Sequence, residues 1–298
     1  KGMRTNFEIK VAEGVVAIDD SRYPALLKTI NNPPLQLYYK GNWNEAIFSQ
    51  CLAVVGTRKM TRYGRQITEE LIQEVAAAGI TIVSGFMYGI DAIAHKAALD
   101  VGGKTIAVMP GGIDVISPSY QEPLRRAILD GGGLVISEHP GNYPPMLWTY
   151  PRRNRIIAGL SKVTVVVEAG KVSGALITAR LARKFSRKLF AVPGSLTSTV
   201  SEGTAWLIKQ GASIVTNAGD ILAEYNKDTV TRLNEGSVCN KALGSLGQAI
   251  IDYLRREPME IDALCRSLKV SISQMSAALC LMQVRGLVCQ EEGKFHVC

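Results

Sequence analysis

The chain has 298 residues, of which 47% are hydrophobic and 20% charged, and 34 Lys and Arg against 26 Asp and Glu give it a net charge of +8. That length suits two domains of ordinary size. No apolar run approaches the twenty or so residues of a membrane helix and no signal peptide is present, so membrane insertion and export are not expected and a cytoplasmic location is.

Residues 1–44 read as an irregular lead-in, with a turn at Asn31–Pro34 and a short strand in L-Q-L-Y-Y-K. The first residue is Lys, which points to an upstream domain removed by truncation. An α/β rhythm then fills 45–225. Its strands are expected at Leu52–Val55, Ile80–Val83, Thr105–Met109, Leu134–Ser137, Val163–Glu168, Leu189–Val192 and Ser213–Val215. Helical patterns lie between them at Thr61–Ala78, Gly89–Val101, Pro118–Asp130, Asn154–Gly159, Ser173–Phe185 and Thr204–Gln210. Strands that are apolar throughout and alternate with helices predict a mostly parallel sheet covered on both faces. Residues 226–244 are polar and read as a linker. Residues 245–298 hold three helical patterns, Leu246–Arg256, Glu260–Leu268 and Ile272–Arg285, then a hairpin of Leu287–Gln290 and Lys294–Val297, which is a winged-helix plan.

The charge is unevenly placed. Between Trp148 and Lys188 stand Arg152, Arg153, Arg155, Lys162, Lys171, Arg180, Arg183, Lys184, Arg187 and Lys188 against Glu168 alone, whereas cations and acids nearly balance after Lys241. A basic surface fixed to a core strand points to a polyanion. The six cysteines (Cys51, Cys239, Cys265, Cys280, Cys289 and Cys298) form no C-x-x-C pair and lack zinc-site spacing, so they read as free, buried or half-buried thiols in a reducing compartment.

In such sheets ligands bind beyond the C-terminal strand ends, and the glycines sit there: Gly56 with Arg58, Ser84 with Gly85, Pro110–Gly112, Glu168–Gly170 and Pro193–Ser195. Gly56 and Arg58 open a helix and read as a phosphate cradle made of backbone amides and one fixed cation. The loop lacks the G-x-G-x-x-G spacing of dinucleotide sites. Asp91 and His95, four apart on one helix, can meet as an acid–base pair or, more simply, as a local hydrogen bond. Arg152, Arg153, Asn154 and Arg155 precede a helix and suit bidentate phosphate contacts, with Trp148 or Tyr150 available to stack on a base. Lys171, Ser173, Gly174 and Thr178 supply another helix N-terminus. Several anion sites along one sheet edge fit a strand of phosphates better than a single nucleotide. In the tail, Ile272–Arg285 would be the reading helix. It offers Gln274 and Ser276 but no cation at its start, so this module is expected to pack on protein rather than read DNA.

The motifs G-T-R, S-G-x-x-x-G-I-D-x-x-A-H-x-x-A-L, G-G-I-D, S-E-x-P, P-R-R-N-R-I-I-A-G-L-S, V-V-V-E-A, S-G-A-L-I-T-A-x-x-A, F-A-V-P-G and E-G-T-A-W-L-I-x-x-G-A occur in this order. Over about Tyr23–Tyr225 the chain resembles the DNA-processing protein A (DprA/Smf) family. The resemblance implies an extended Rossmann-like, doubly wound domain followed by a winged helix. It also implies a cytoplasmic homodimer that binds and protects incoming single-stranded DNA during natural transformation, in competence, and loads the RecA recombinase for DNA recombination. It places DNA contacts at Gly56, Arg58, Ser84, Gly85, Arg152, Arg153, Asn154, Arg155, Lys171, Ser173, Gly174 and Thr178. No catalysis, cofactor, metal or membrane partner is expected. Where relatives commonly carry S-G-S-L-I-T-A, this chain has Ala175.

Two other readings stay open. Pro110–Gly112 resembles the P-G-G loop of nucleotide-phosphate hydrolases of the lysine-decarboxylase-like group, although Ile113–Ile116 replace the sequence that would bring their catalytic glutamate. The winged helix would alternatively make the protein a duplex-DNA-binding regulator.

Overall fold

The computed structural model describes residues 12–225, 240–254, 257–284, 287–291 and 293–297. They form two compact units, the first running through residue 225 and the second from residue 240.

In the first unit the strands are β1 (Glu13–Ala17), β2 (Gln36–Gly41), β3 (Cys51–Val55), β4 (Thr81–Gly85), β5 (Thr105–Val108), β6 (Leu134–Ser137), β7 (Val163–Val166), β8 (Lys188–Ala191) and β9 (Ser213–Ile214). The helices are α1 (Ala25–Lys28), α2 (Arg62–Ala77), α3 (Ile90–Asp100), α4 (Glu122–Asp130), α5 (Thr149–Leu160), α6 (Ala175–Lys184), α7 (Glu202–Lys209) and α8 (Ala218–Leu222). One sheet runs β1-β2-β6-β5-β4-β3-β7-β8-β9. From β6 to β9 every pairing is parallel, while β1 and β2 add an antiparallel edge. Every residue of β3 to β7 is buried. Alternation along each strand then feeds two cores. Ile106, Val108, Leu134 and Ile136 face one way, onto Ile156, Ile157 and Leu160 of α5. Ala107, Met109 and Val135 face the other way, with Phe86, Leu124 and Ile128. Each large side chain so buried contributes about 1.5–3 kcal/mol.

The short strand expected in L-Q-L-Y-Y-K is β2, but over the described part residues 12–44 are not an irregular lead-in. β1 and β2 extend the sheet through β6, and Leu27, Ile30 and Leu37 enter the main core. Gly159 lets α1 approach α5, because a Cβ there would stand 2.7 Å from the Leu27 side chain.

The second unit comprises α9 (Asn240–Leu254), α10 (Ile261–Leu268), α11 (Ile272–Val284) and the antiparallel pair β10 (Val288–Glu291) and β11 (Lys294–Val297). Ile250, Leu254, Leu264, Met275, Leu279, Met282, Val288 and Phe295 make its core. Ser271 caps α11 through the Gln274 amide. Helix α9 begins within the segment read as linker, whose residues 226–239 lie outside the described residues, as do Arg285, Cys239 and Cys298. Cys51 and Cys265 are free, but Cys289 is disulfide-bonded, which corrects the expectation of free thiols throughout.

Candidate nucleic-acid interface

The chain leaves β3 for β4, β5 and β6 on one side, then returns through α5 to place β7 on the other side of β3. Loops after β3 and β7 therefore diverge, and the crevice between them is where a doubly wound sheet takes ligand. Here it is an open groove of about 750 Å³, walled by Gly56–Lys59 after β3, Met87, Tyr88 and Asp91 after β4, the first turn of α5, and Gly170–Thr178 after β7.

Arg58 is the exposed cation at its centre. Its guanidinium carbon lies 5.8 Å from the Tyr88 ring centroid and 5.5 Å from that of Tyr150, so two aromatics flank it. Its backbone is fixed by Gly89, which has φ +88°: a Cβ there would stand 2.4 Å from the Thr57 carbonyl oxygen and 2.7 Å from Arg58 Cα. The Ile90 amide also donates to that carbonyl at 3.2 Å. On the opposite wall Ser173 Oγ accepts from the Ala175 amide at 3.3 Å. Gly174 faces open space at the start of α6, and the Asn154 side-chain amide reaches its carbonyl at 3.5 Å. The groove thus combines a helix N-terminus with Arg58, Lys59, Arg153 and Lys171, against Asp91 and Glu202.

Of the residues expected to contact DNA, Gly56, Arg58, Arg153, Asn154, Lys171, Ser173, Gly174 and Thr178 come together on this groove. Four others do not line it. Helix α5 starts at Thr149 rather than Asn154, so its arginines diverge around the axis instead of lining one loop. Arg155 is buried and donates to the Asn32 carbonyl and to Glu138. Arg152 also pairs with Glu138, at 3.2 Å. Burial pushes the Glu138 carboxyl up, yet these two arginines outweigh it and hold the group below its ordinary range. Ser84 is fully buried and donates to the Val54 carbonyl at 2.6 Å. Gly85 lies under the floor, where a Cβ would come within 2.4 Å of Asp91 Oδ2 and 2.6 Å of Arg153 Nη2.

The start of α2 is likewise not the open phosphate cradle expected after Gly56. Glu168, at the end of β7, accepts from the Thr61 amide at 2.9 Å and from its hydroxyl at 2.5 Å, and Thr61 Oγ1 accepts from the Gly64 amide. An internal carboxylate therefore occupies that helix end. The Pro110–Gly112 turn is closed as well: a Cβ on Gly112 would stand 2.0 Å from the Gly141 carbonyl oxygen. Tyr88 and Glu202 are groove residues that sequence reasoning passed over, and Asp91, read there only as a partner of His95, is a third. Tyr88 was signalled by its place beside Gly89 in a strand-end glycine motif.

Asp91 and His95 do not pair. Both His95 nitrogens are engaged, Nε2 donating to the Gly85 carbonyl at 2.8 Å and Nδ1 lying 2.6 Å from the Thr105 hydroxyl. Asp91 instead faces Arg153, Ser84 and Arg58. Arg153 is buried beneath the groove and donates to the Val108 carbonyl. Burial pushes the Asp91 carboxyl up to about 6 against the pull of Arg153, Ser84, Arg58 and the Met87 amide, and pushes His95 down to about 4.

Below pH 6, folded Asp91 keeps a proton that the unfolded chain releases down to 3.8, so its contribution to stability falls as pH rises through that window. His95 acts oppositely between 6.5 and about 4, where only the unfolded chain is protonated. The two slopes largely cancel in stability, which leaves ligand affinity as the readout. Protonating Asp91 removes one negative charge from the groove, so polyanion affinity should rise about threefold to tenfold as pH falls through 6. Asp91→Asn should hold the low-pH affinity across the whole profile. Fluorescence anisotropy of a labelled oligonucleotide from about pH 5 to 8 checks both outcomes.

Among the described residues no helix is long and apolar enough to cross a membrane, and no cluster of three or more His, Cys, Asp or Glu is arranged to hold a metal. Residues 14–226 match the family described as DNA recombination-mediator protein A, and residues 240–294 match the DprA winged helix domain. Protein Smf of Escherichia coli K12 is 43% identical over 208 residues, 70% of this chain and 55% of that protein. This chain therefore spans about half the length of that relative. The crystal structure of DNA processing protein A from Streptococcus pneumoniae superposes with a TM-score of 0.67 at 41% identity, covering 71% of this chain and 74% of that one. A Helicobacter pylori DNA processing protein A, described as having a unique single-stranded DNA binding mode, gives 0.64 at 30% identity over 76% of this chain and 99% of that one. With its Rossmann-like sheet, winged helix and ordered motifs, the chain belongs to the DNA recombination-mediator protein A family.

Proposed function

We propose that the switch-point groove binds single-stranded DNA without catalysing a reaction on it, and that the protein protects incoming DNA in the cytoplasm during natural transformation, acts as a homodimer and passes the strand to RecA. The observation that carries this reading is Arg58 held between Tyr88 and Tyr150, opposite the start of α6 with Lys171 and Ser173. An exposed and a half-buried tyrosine beside cations match a nucleic-acid strand whose unstacked bases and phosphates alternate. The Helicobacter pylori relative's single-stranded DNA binding supports the same assignment. Competition between oligo-dT and duplex of equal length tests it, and preference for the duplex would refute it. Sedimentation of the protein tests the dimer. RecA filament growth on a single strand, with and without the protein, tests the transfer step.

Glu202 competes with the ligand. It pairs with Lys171 at 3.4 Å, and the lysine is 78% exposed. Exposed pairs of this kind are worth about 0.2–1 kcal/mol. Glu202→Gln should therefore tighten oligo-dT binding by up to about fivefold and steepen its salt dependence. Unchanged affinity would place Lys171 off the DNA path.

A further inference from the structure

A second surface lies across the first turn of α5 from the groove. Met146, Leu147 and Trp148 are consecutive and exposed, at 47%, 93% and 47%. The segment is braced: Thr149 Oγ1 donates to the Met146 carbonyl at 2.8 Å, and the Thr149 amide donates to the same oxygen. The Trp148 ring is also held in place. His139 meets it edge-on with centroids 6.2 Å apart, and His139 itself stacks on Tyr143 at 4.3 Å. The Arg152 guanidinium carbon stands 5.7 Å from the Trp148 centroid, and Glu138 anchors that guanidinium from the side. Glu138 is the carboxylate at this platform, and Arg155 satisfies it as well.

Trp148 and Arg152 are four residues apart and share one helix face, whereas Tyr150, Arg153 and Asn154 serve the groove. Pro151, exposed and groove-lining, stands between the two sets. Each residue advances about 1.5 Å along α5, so the platform begins within about one nucleotide's reach of the groove rim.

We propose that Trp148 and Arg152 form a further nucleotide subsite, which takes the base and phosphate of a strand as it leaves the groove over Pro151. This rests on reading the groove as the single-strand site. A held indole half open to solvent beside a guanidinium matches a base and its phosphate. It also gives Arg152 a ligand role beside the groove rather than in it.

The test compares labelled oligo-dT of about four nucleotides, which fills the groove alone, with one of about fifteen. Trp148→Ala should weaken the long oligonucleotide about fivefold or more and leave the short one unchanged, and Trp148→Phe should restore most of the loss. Equal affinity of Trp148→Ala and the parent for both lengths overturns the subsite. So does an equal loss at both lengths, since Trp148 would then act on the groove through α5. Should the parent bind neither length, the groove reading falls and the subsite with it. The short oligonucleotide also reports that the variant is folded.

Discussion

Arg58→Ala should weaken oligo-dT binding about 10- to 100-fold while leaving thermal stability nearly unchanged. The loss combines a charge-assisted phosphate contact, worth about 1.5–3 kcal/mol, with the ordered pair of rings that the guanidinium keeps apart. In the folded protein alone Arg58 is exposed, and its contacts with Tyr88 and Tyr150 are cation–π contacts worth about 0.5–1 kcal/mol at such a site. The logarithmic salt slope should fall by about 0.7, the value of one phosphate on a single strand. A salt titration of anisotropy alongside a melting curve separates binding from folding. A variant that melts early and keeps its affinity would reverse the assignment.

Gly85→Ala should cost about 1–3 kcal/mol of stability and most of the DNA affinity together. The new methyl would stand 2.4 Å from Asp91 Oδ2 and 2.6 Å from Arg153 Nη2. Arg153 is 5% exposed and holds the Val108 carbonyl. To make room, the Asp91 and Arg153 side chains must both shift within a packed floor, and forcing an extra methyl into such packing costs about 1–3 kcal/mol. Arg153 and Asp91 both line the groove, so binding should fail with folding. Gly174→Ala is the matched control: with φ −59° and open space around its Cβ, it should leave the urea midpoint where it is. If Gly85→Ala unfolds at the parent's midpoint, the floor is looser than the geometry implies.

Strands β3 to β7 were legible because every residue in them is buried, so each reads as an apolar run without polar alternation. Strand β1 was not, because Val16 alone of its five residues is buried and so no alternation shows. The start of α5 was placed five residues late because Pro151 reads as a helix breaker, yet in a first turn its missing amide costs nothing. That displacement also misassigned the arginines. On a helix Arg153 and Arg155 are about 200° apart, so one reaches the groove floor while the other turns to Glu138 and Asn32. Arg58, Lys171, Ser173 and Gly174 were found because strand-end glycines mark the binding edge of any doubly wound sheet. Glu168 stood inside a recognised motif, but its partner Thr61 is 107 residues away, and no local pattern reports that contact.

One groove, at the divergence of β3 and β7, is proposed to hold a single strand through Arg58 and Lys171. The most direct test is the affinity of the parent and of Arg58→Ala/Lys171→Ala for labelled oligo-dT and for duplex of equal length across a salt series. The parent should show tight single-strand preference and a steep salt slope, with both lost in the double variant. Duplex binding equal to or tighter than single-strand binding, unaffected by the two substitutions, would contradict that assignment and move the DNA site to the winged helix.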